Sequence, residues 1–140
     1  MLVVVHPGSA CGSADFNLGL IEGSRVRERL ARTILGWTDE IVVVDNDLSD
    51  ELETYAMLGL AIANASGRKS AVRVGGDSGK SGWAENVAGQ ICKVAKHKNV
   101  YLTGAWHQPS DEQGCIDRLS RILRRDHGID SSIMPCSLVL

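Results

Sequence analysis

Two runs, Leu2-Val3-Val4-Val5 and Ile41-Val42-Val43-Val44, constrain this chain most. Each is aliphatic throughout, and each stops at a polar turn: His6-Pro7-Gly8 in the first, Asp45-Asn46-Asp47 in the second. A strand with one wet face alternates apolar and polar residues. A strand covered on both faces reads as a continuous apolar run, and such strands belong to parallel sheets clothed by helices. The chain must therefore supply helices for both sides of the sheet.

The remaining sequence does so. After Leu2 to Val5 and a loop from His6 to about Asn17, Val26, Leu30 and Ile34 recur at helical spacing as far as Gly36. Gly23 and Ser24 interrupt the pattern, which predicts a helix start at Ser24. Ser49 reads as an N-cap, with Asp50 and Glu51 in the first turn, for a helix from Leu52 to about Ala65 that Gly67 stops. Ser70 to Val74 reads as a third strand. Ser81 is then placed as the N-cap of a helix whose stripe is Trp83, Val87, Ile91 and Val94. Val100 to Thr103 is the fourth strand. Ser110 and Gln113 match a capping box ahead of a helix burying Ile116, Leu119, Ile122 and Leu123, with Gly128 as its stop. Ser131 to Met134 is a weak fifth strand before Pro135.

This alternation implies a three-layer αβα sandwich with a five-stranded parallel sheet, Rossmann-like, forming a single α/β domain over residues 1–140. Strand order follows from burial. Arg73 in the third strand and the short, polar fifth strand suit edges, so the order 3-2-1-4-5 is favoured over 2-1-3-4-5, which would bury Arg73 centrally. The topological switch point, where such sheets bind ligands, then lies between strands one and four.

Composition narrows the function. A formal charge of −2 gives no basic excess for a nucleic-acid backbone. The first apolar run is too short for a leader core or a membrane span. The four cysteines, 11, 92, 115 and 136, contain no Cys-x-x-Cys pair, so reduced thiols in the cytoplasm are expected. The expected partner is a small-molecule ligand, with no nucleic acid and no membrane.

Candidate site residues collect at strand ends. The loop after strand one offers Ser9, Gly12 and Ser13 for a polar ligand, with His6 as acid/base. The loop after strand four offers Trp106 for stacking and His107 as a second proton-transfer group. Asp45 stands where dinucleotide folds place a ribose-binding carboxylate, but the first loop lacks Gly-x-Gly-x-x-Gly. Gly75 to Ser81 opens a helix and offers Asp77 and Lys80 as ligand-binding groups, Lys80 with the helix N–H groups for an anion. Five residues before Gly79, with four between as the P-loop pattern requires, the glycine is replaced by Val74, so triphosphate chemistry is not expected. No ligand spacing for a metal stands out, and the sequence names no cofactor. With Asp45, Asp47, Asp77 and Asp111 near the strand ends, the mouth suits a hydroxyl-rich or amine-bearing molecule better than a bare polyphosphate.

Cys115 opens a helix, where a thiol gains nucleophilicity. Over residues 100 to 118, the Thr103-Gly104 strand end followed by Cys115 resembles isochorismatase-type hydrolases, which implies a cysteine nucleophile; their aspartate after strand one is His6 here. Leu58 to Ala63 resembles the second helix of nucleoside deoxyribosyltransferases, with Met57 where that family has its nucleophilic glutamate. The sequence reading is thus a cytoplasmic α/β enzyme acting on a small polar, nucleotide- or sugar-like molecule at the strand C-terminal crevice. The alternative is a non-catalytic small-molecule-binding or oligomeric assembly module, with Trp37, Trp83 and Trp106 as exposed anchors.

Overall fold

The computed structural model describes residues 1–7, 20–45, 71–77, 79–96, 99–104, 107–108, 110 and 113–134. Within them are five strands: β1 (Leu2–Val5), β2 (Ile41–Asp45), β3 (Ala71–Gly75), β4 (Val100–Gly104) and β5 (Ser131–Ile133). Three helices accompany them: α1 (Leu20–Gly36), α2 (Trp83–Ala95) and α3 (Cys115–His127). Every strand pair is parallel, and the order is β3-β2-β1-β4-β5. The two continuous aliphatic runs are therefore neighbours at the centre, with Leu2 opposite Ile41 and Val5 opposite Val44. Every residue of β1 is wholly buried. The helix expected from Leu52 to Ala65 and Pro135 lie outside the described residues.

Strand alternation sends successive side chains of the sheet to opposite faces. Val3, Val5, Val42, Val44 and Leu102 share one core cluster with the apolar stripes of α2 and α3. Both helices thus cover the same face. Leu30 and Ile34 of α1 are wholly buried yet lie outside that cluster. A right-handed β1-α1-β2 crossover puts α1 on the opposite face, because the chain moves outward one way through β2 and β3 and then the other way through β4 and β5.

Helix ends differ from the sequence expectation in instructive ways. α1 begins at Leu20 rather than Ser24. An interior glycine such as Gly23 costs only about 1 kcal/mol, so it lowers helix stability without forcing a start after it. Ser81 is not the N-cap of α2. Gly82 is, in a left-handed conformation (φ 73°) and with no side-chain cap. Asp77 organises this approach instead, its Oδ1 accepting the Gly79 N–H at 2.9 Å and its carbonyl accepting the Lys80 N–H at 3.0 Å. α3 likewise starts after Gly114 with no side-chain cap, so the Ser110–Gln113 capping box does not form its first turn. Its end follows expectation. Gly128 (φ 63°) donates to the Arg124 carbonyl and Ile129 to that of Leu123, so a glycine in the left-handed region closes the helix.

Gly104, the last residue of β4, sits opposite Val5. Its φ is 108°, and a Cβ there would overlap the Val5 carbonyl oxygen. Only glycine closes this pairing. Gly104→Ala combines a strained φ with a backbone clash and is expected to cost at least ~2 kcal/mol. Urea unfolding checks this, with a lowered midpoint at unchanged slope as the expected result.

Candidate functional site

His6 continues the β1–β2 ladder, its N–H donating to the Val44 carbonyl at 3.0 Å. It then turns the chain at φ 45°. Such a conformation is uncommon outside glycine, although histidine is among the residues that adopt it more readily. Its side chain stabilises the turn from above. Nε2 lies 2.6 Å from the Gly76 carbonyl oxygen, and the ring centroid lies 5.0 Å from that of Trp83. A carbonyl only accepts, so Nε2 carries the proton. Gly76 is itself closely packed: a Cβ there would overlap Val44 and come within 2.8 Å of Val87. His6 is 1% exposed. It is a buried strut joining the end of β1 to the β3–α2 turn.

His107 sits differently. Its Nδ1 is 2.7 Å from Asp117 Oδ1, and the Gln108 N–H donates to Asp117 Oδ2 at 2.6 Å. Asp117 lies in the first turn of α3, where the helix dipole favours a carboxylate, and its side chain is 4% exposed. Both carboxylate oxygens are occupied, so the imidazole donates from Nδ1 and presents Nε2 as the available nitrogen. No described residue hydrogen-bonds to Nε2. The His107 side chain is 24% exposed and, with Asp117, lines a cavity of about 450 Å³ between α3 and the start of β5. Ser120, Arg121, Arg124, Ser131 and Ile133 complete the lining.

Helical spacing assembles this wall. Asp117, Arg121 and Arg124 stand at i, i+4 and i+7, and Ser120 at i+3, one polar stripe beside the apolar stripe of α3. The Ser120 and Ser131 hydroxyls lie 2.8 Å apart and tie α3 to β5 across the cavity floor. Arg124 Nε donates to Asp130 at 3.0 Å. Arg121 and Arg124 are the basic residues of this lining.

Among the described residues, His6 and His107 do not share one open pocket. β1 and β4 are adjacent as expected, but His6 is turned toward Gly76 and Trp83, and His107 toward α3. Asp77 serves the turn before α2, where Lys80 is exposed. Asp45 ends β2, opposite Gly75. Ser9, Gly12, Ser13 and Trp106 lie outside the described residues. Of the tryptophans expected as exposed anchors, Trp83 is 6% exposed, and Trp37 is half-buried with its ring 5.3 Å from Tyr101. Among the described residues, no three His, Cys, Asp or Glu side chains converge to hold a metal, and no helix is long and apolar enough to cross a membrane.

Cys115 is half-buried against the core. Burial pushes its thiol up to about 11, against the opposing pull of Arg118. Desolvation outweighs the helix terminus, which disfavours the nucleophile implied by the hydrolase resemblance. The chain matches no family model, no curated protein and no solved structure.

His6→Ala orphans the buried Gly76 carbonyl and empties space beneath Trp83, so it is expected to lose about 2–4 kcal/mol. His107→Ala leaves one oxygen of the buried Asp117 carboxylate without its partner and is expected to lose about 1–3 kcal/mol; denaturant melts of both variants check these values. Cys115 is expected to resist alkylation at pH 8. Its folded pKa lies above the unfolded value, so its contribution to stability is complete below about pH 9 and is lost as pH rises through about 11. Thiol-modification rates and unfolding free energies across that window check both statements.

Proposed function

We propose that this domain is a cytoplasmic enzyme acting on a small polar molecule, with His107 as the proton-transfer group and Asp117 as its positioning residue. The observation that carries this reading is the His107–Asp117 pair at the wall of the cavity. A histidine fixed at Nδ1 by a buried carboxylate keeps one tautomer and one ring orientation, and Nε2 then takes or gives a proton at a fixed point. Asp117 is held in turn by the Gln108 N–H. A cavity of this size suits a metabolite rather than a polymer. Sugar-like and nucleotide-like molecules both carry the hydroxyl and carbonyl groups on which such a base acts. The free thiols at Cys92 and Cys115 support the cytoplasmic setting.

The chemistry this arrangement supplies is general acid–base catalysis. Nε2 removes a proton from a substrate hydroxyl, or from carbon beside a carbonyl. The imidazolium so formed is stabilised by Asp117 and returns the proton later in the cycle. No part of this requires His6, whose Nε2 is already committed to Gly76.

The test begins with a thermal-shift screen of sugars, sugar phosphates, nucleosides and hydroxy acids, since ligand bound to the native state raises apparent stability by mass action. Hits are incubated in D₂O and followed by proton NMR for exchange or conversion. His107→Ala is expected to lower turnover by about 10²–10⁴-fold, the usual contribution of one general acid–base group. Asp117→Asn is expected to lower it less and to displace its pH profile. Equal turnover in wild type and His107→Ala would remove this reading.

A further inference from the structure

We infer that the cavity between α3 and β5 takes an uncharged, hydroxyl-bearing molecule, an unphosphorylated sugar or polyol, recognised by His107 Nε2 and the Ser120–Ser131 hydroxyl pair. This names the substrate class of the proposed acid–base site. It rests on that proposal only in calling the ligand a substrate, because the choice of an uncharged ligand stands on the cavity wall.

The charged groups of the wall are already engaged within the protein. Asp117 places one oxygen on His107 Nδ1 and the other on the Gln108 N–H, and its side chain is 4% exposed. An ammonium group entering the cavity therefore meets no available carboxylate among the described lining residues. Arg124 is ion-paired with Asp130 at 3.0 Å, and Arg121 has an interaction of its own within the chain. Two guanidinium charges, Arg121 and Arg124, thus stand against two carboxylates, Asp117 and Asp130, with no excess of either sign to attract an ion. A charged group that gives up its hydration without gaining a partner is penalised, so charge on the ligand opposes entry.

The groups left for a ligand are neutral. Asp117 fixes His107 at Nδ1, so Nε2 is an acceptor. The Ser120 and Ser131 hydroxyls lie 2.8 Å apart on the same wall. One of their two protons makes the bond between them, and the other is left to donate. An acceptor on one residue and a donor on the others call for a ligand whose groups do both. Hydroxyls meet this demand: one donates to Nε2 and another accepts from the serine pair. Ile133 adds an apolar contact, which the C–H face of a sugar ring or a polyol chain fills. An apolar ligand would leave Nε2 and the spare hydroxyl without partners. On sequence alone, hydroxyl-rich and amine-bearing molecules both suit the mouth. With Asp117 occupied, only the first keeps its partners.

The test is direct binding, independent of turnover. Ribose, glucose, sorbitol and glycerol are titrated into the full chain, beside glucose phosphate, gluconate and glucosamine as charged counterparts. Calorimetry and the chemical shifts of the His107 imidazole report occupancy. The expected result is saturable binding of at least one neutral compound, with its charged counterparts weaker by about tenfold or more. The double variant Ser120→Ala/Ser131→Ala is expected to weaken binding about tenfold, through loss of the hydroxyl contacts. Ser132→Ala, exposed on the same strand and outside the lining, is expected to leave it unchanged. If the double variant loosens the junction of α3 and β5, Ser131→Ala alone serves, with an expected severalfold loss, and the ratio of neutral to charged binding needs no variant. A charged counterpart that binds as tightly as its neutral form, no saturable binding across the neutral compounds, or binding untouched by the serine variants overturns the inference. The two readings fail separately. Sugar binding with full turnover in His107→Ala refutes the enzyme mechanism and keeps the ligand class, whereas turnover of a charged substrate that depends on His107 does the reverse.

Discussion

Val5 and Gly104 lie side by side where β1 meets β4, and most of the molecule follows from that contact. It is the point at which the chain, having built outward through β2 and β3, returns to the other side of β1 and builds outward again through β5. The return puts α2 and α3 on one face, where they bury a shared aliphatic cluster against β1, β2 and β4. It also aims the segment after β4 toward α3, so that His107 meets Asp117. A side chain at residue 104 would hold the two backbones apart. The sheet centre and the candidate site thus depend on one missing methyl group.

The strand order was legible because burial leaves a compositional trace. A residue such as Arg73 is costly between two covered faces, and Ser131-Ser132-Ile133 has too little apolar surface for the centre. The helix stripes were legible for the same reason. Helix starts were not. Serines resemble caps wherever they stand, and at α2 and α3 the structure uses Gly82 and Gly114 instead. A cap supplies only about 1 kcal/mol, so the packing of Trp83 and Ile116 decides where each helix begins.

The site was half legible. His107 stood out as a histidine after a strand of an α/β sheet. His6 stood out by the same logic, yet it is sealed in the core, because its partner is a carbonyl seventy residues away and sequence spacing carries no sign of it. Asp117 was hidden for the opposite reason. A carboxylate in the first turn of a helix is explained by the dipole, so it asks for no second explanation. Its signal lay in register: Asp117, Arg121 and Arg124 keep helical spacing beside an apolar stripe that has its own. A polar stripe adjoining the core stripe, rather than opposite it, marks a helix flank that another element partly covers.

The residues lining the cavity all come from His107 to Ile133, and they rest on the shortest strand of the sheet. Contacts so near in sequence close with little loss of chain entropy. β5 has only three residues, and one of its two sides has no strand partner among the described residues, so its hydrogen bonds open more easily than those of β1. The fold thus separates two duties along its width. The centre carries the stability that lets the chain fold, and the edge keeps a small, locally encoded unit that can loosen without disturbing the centre.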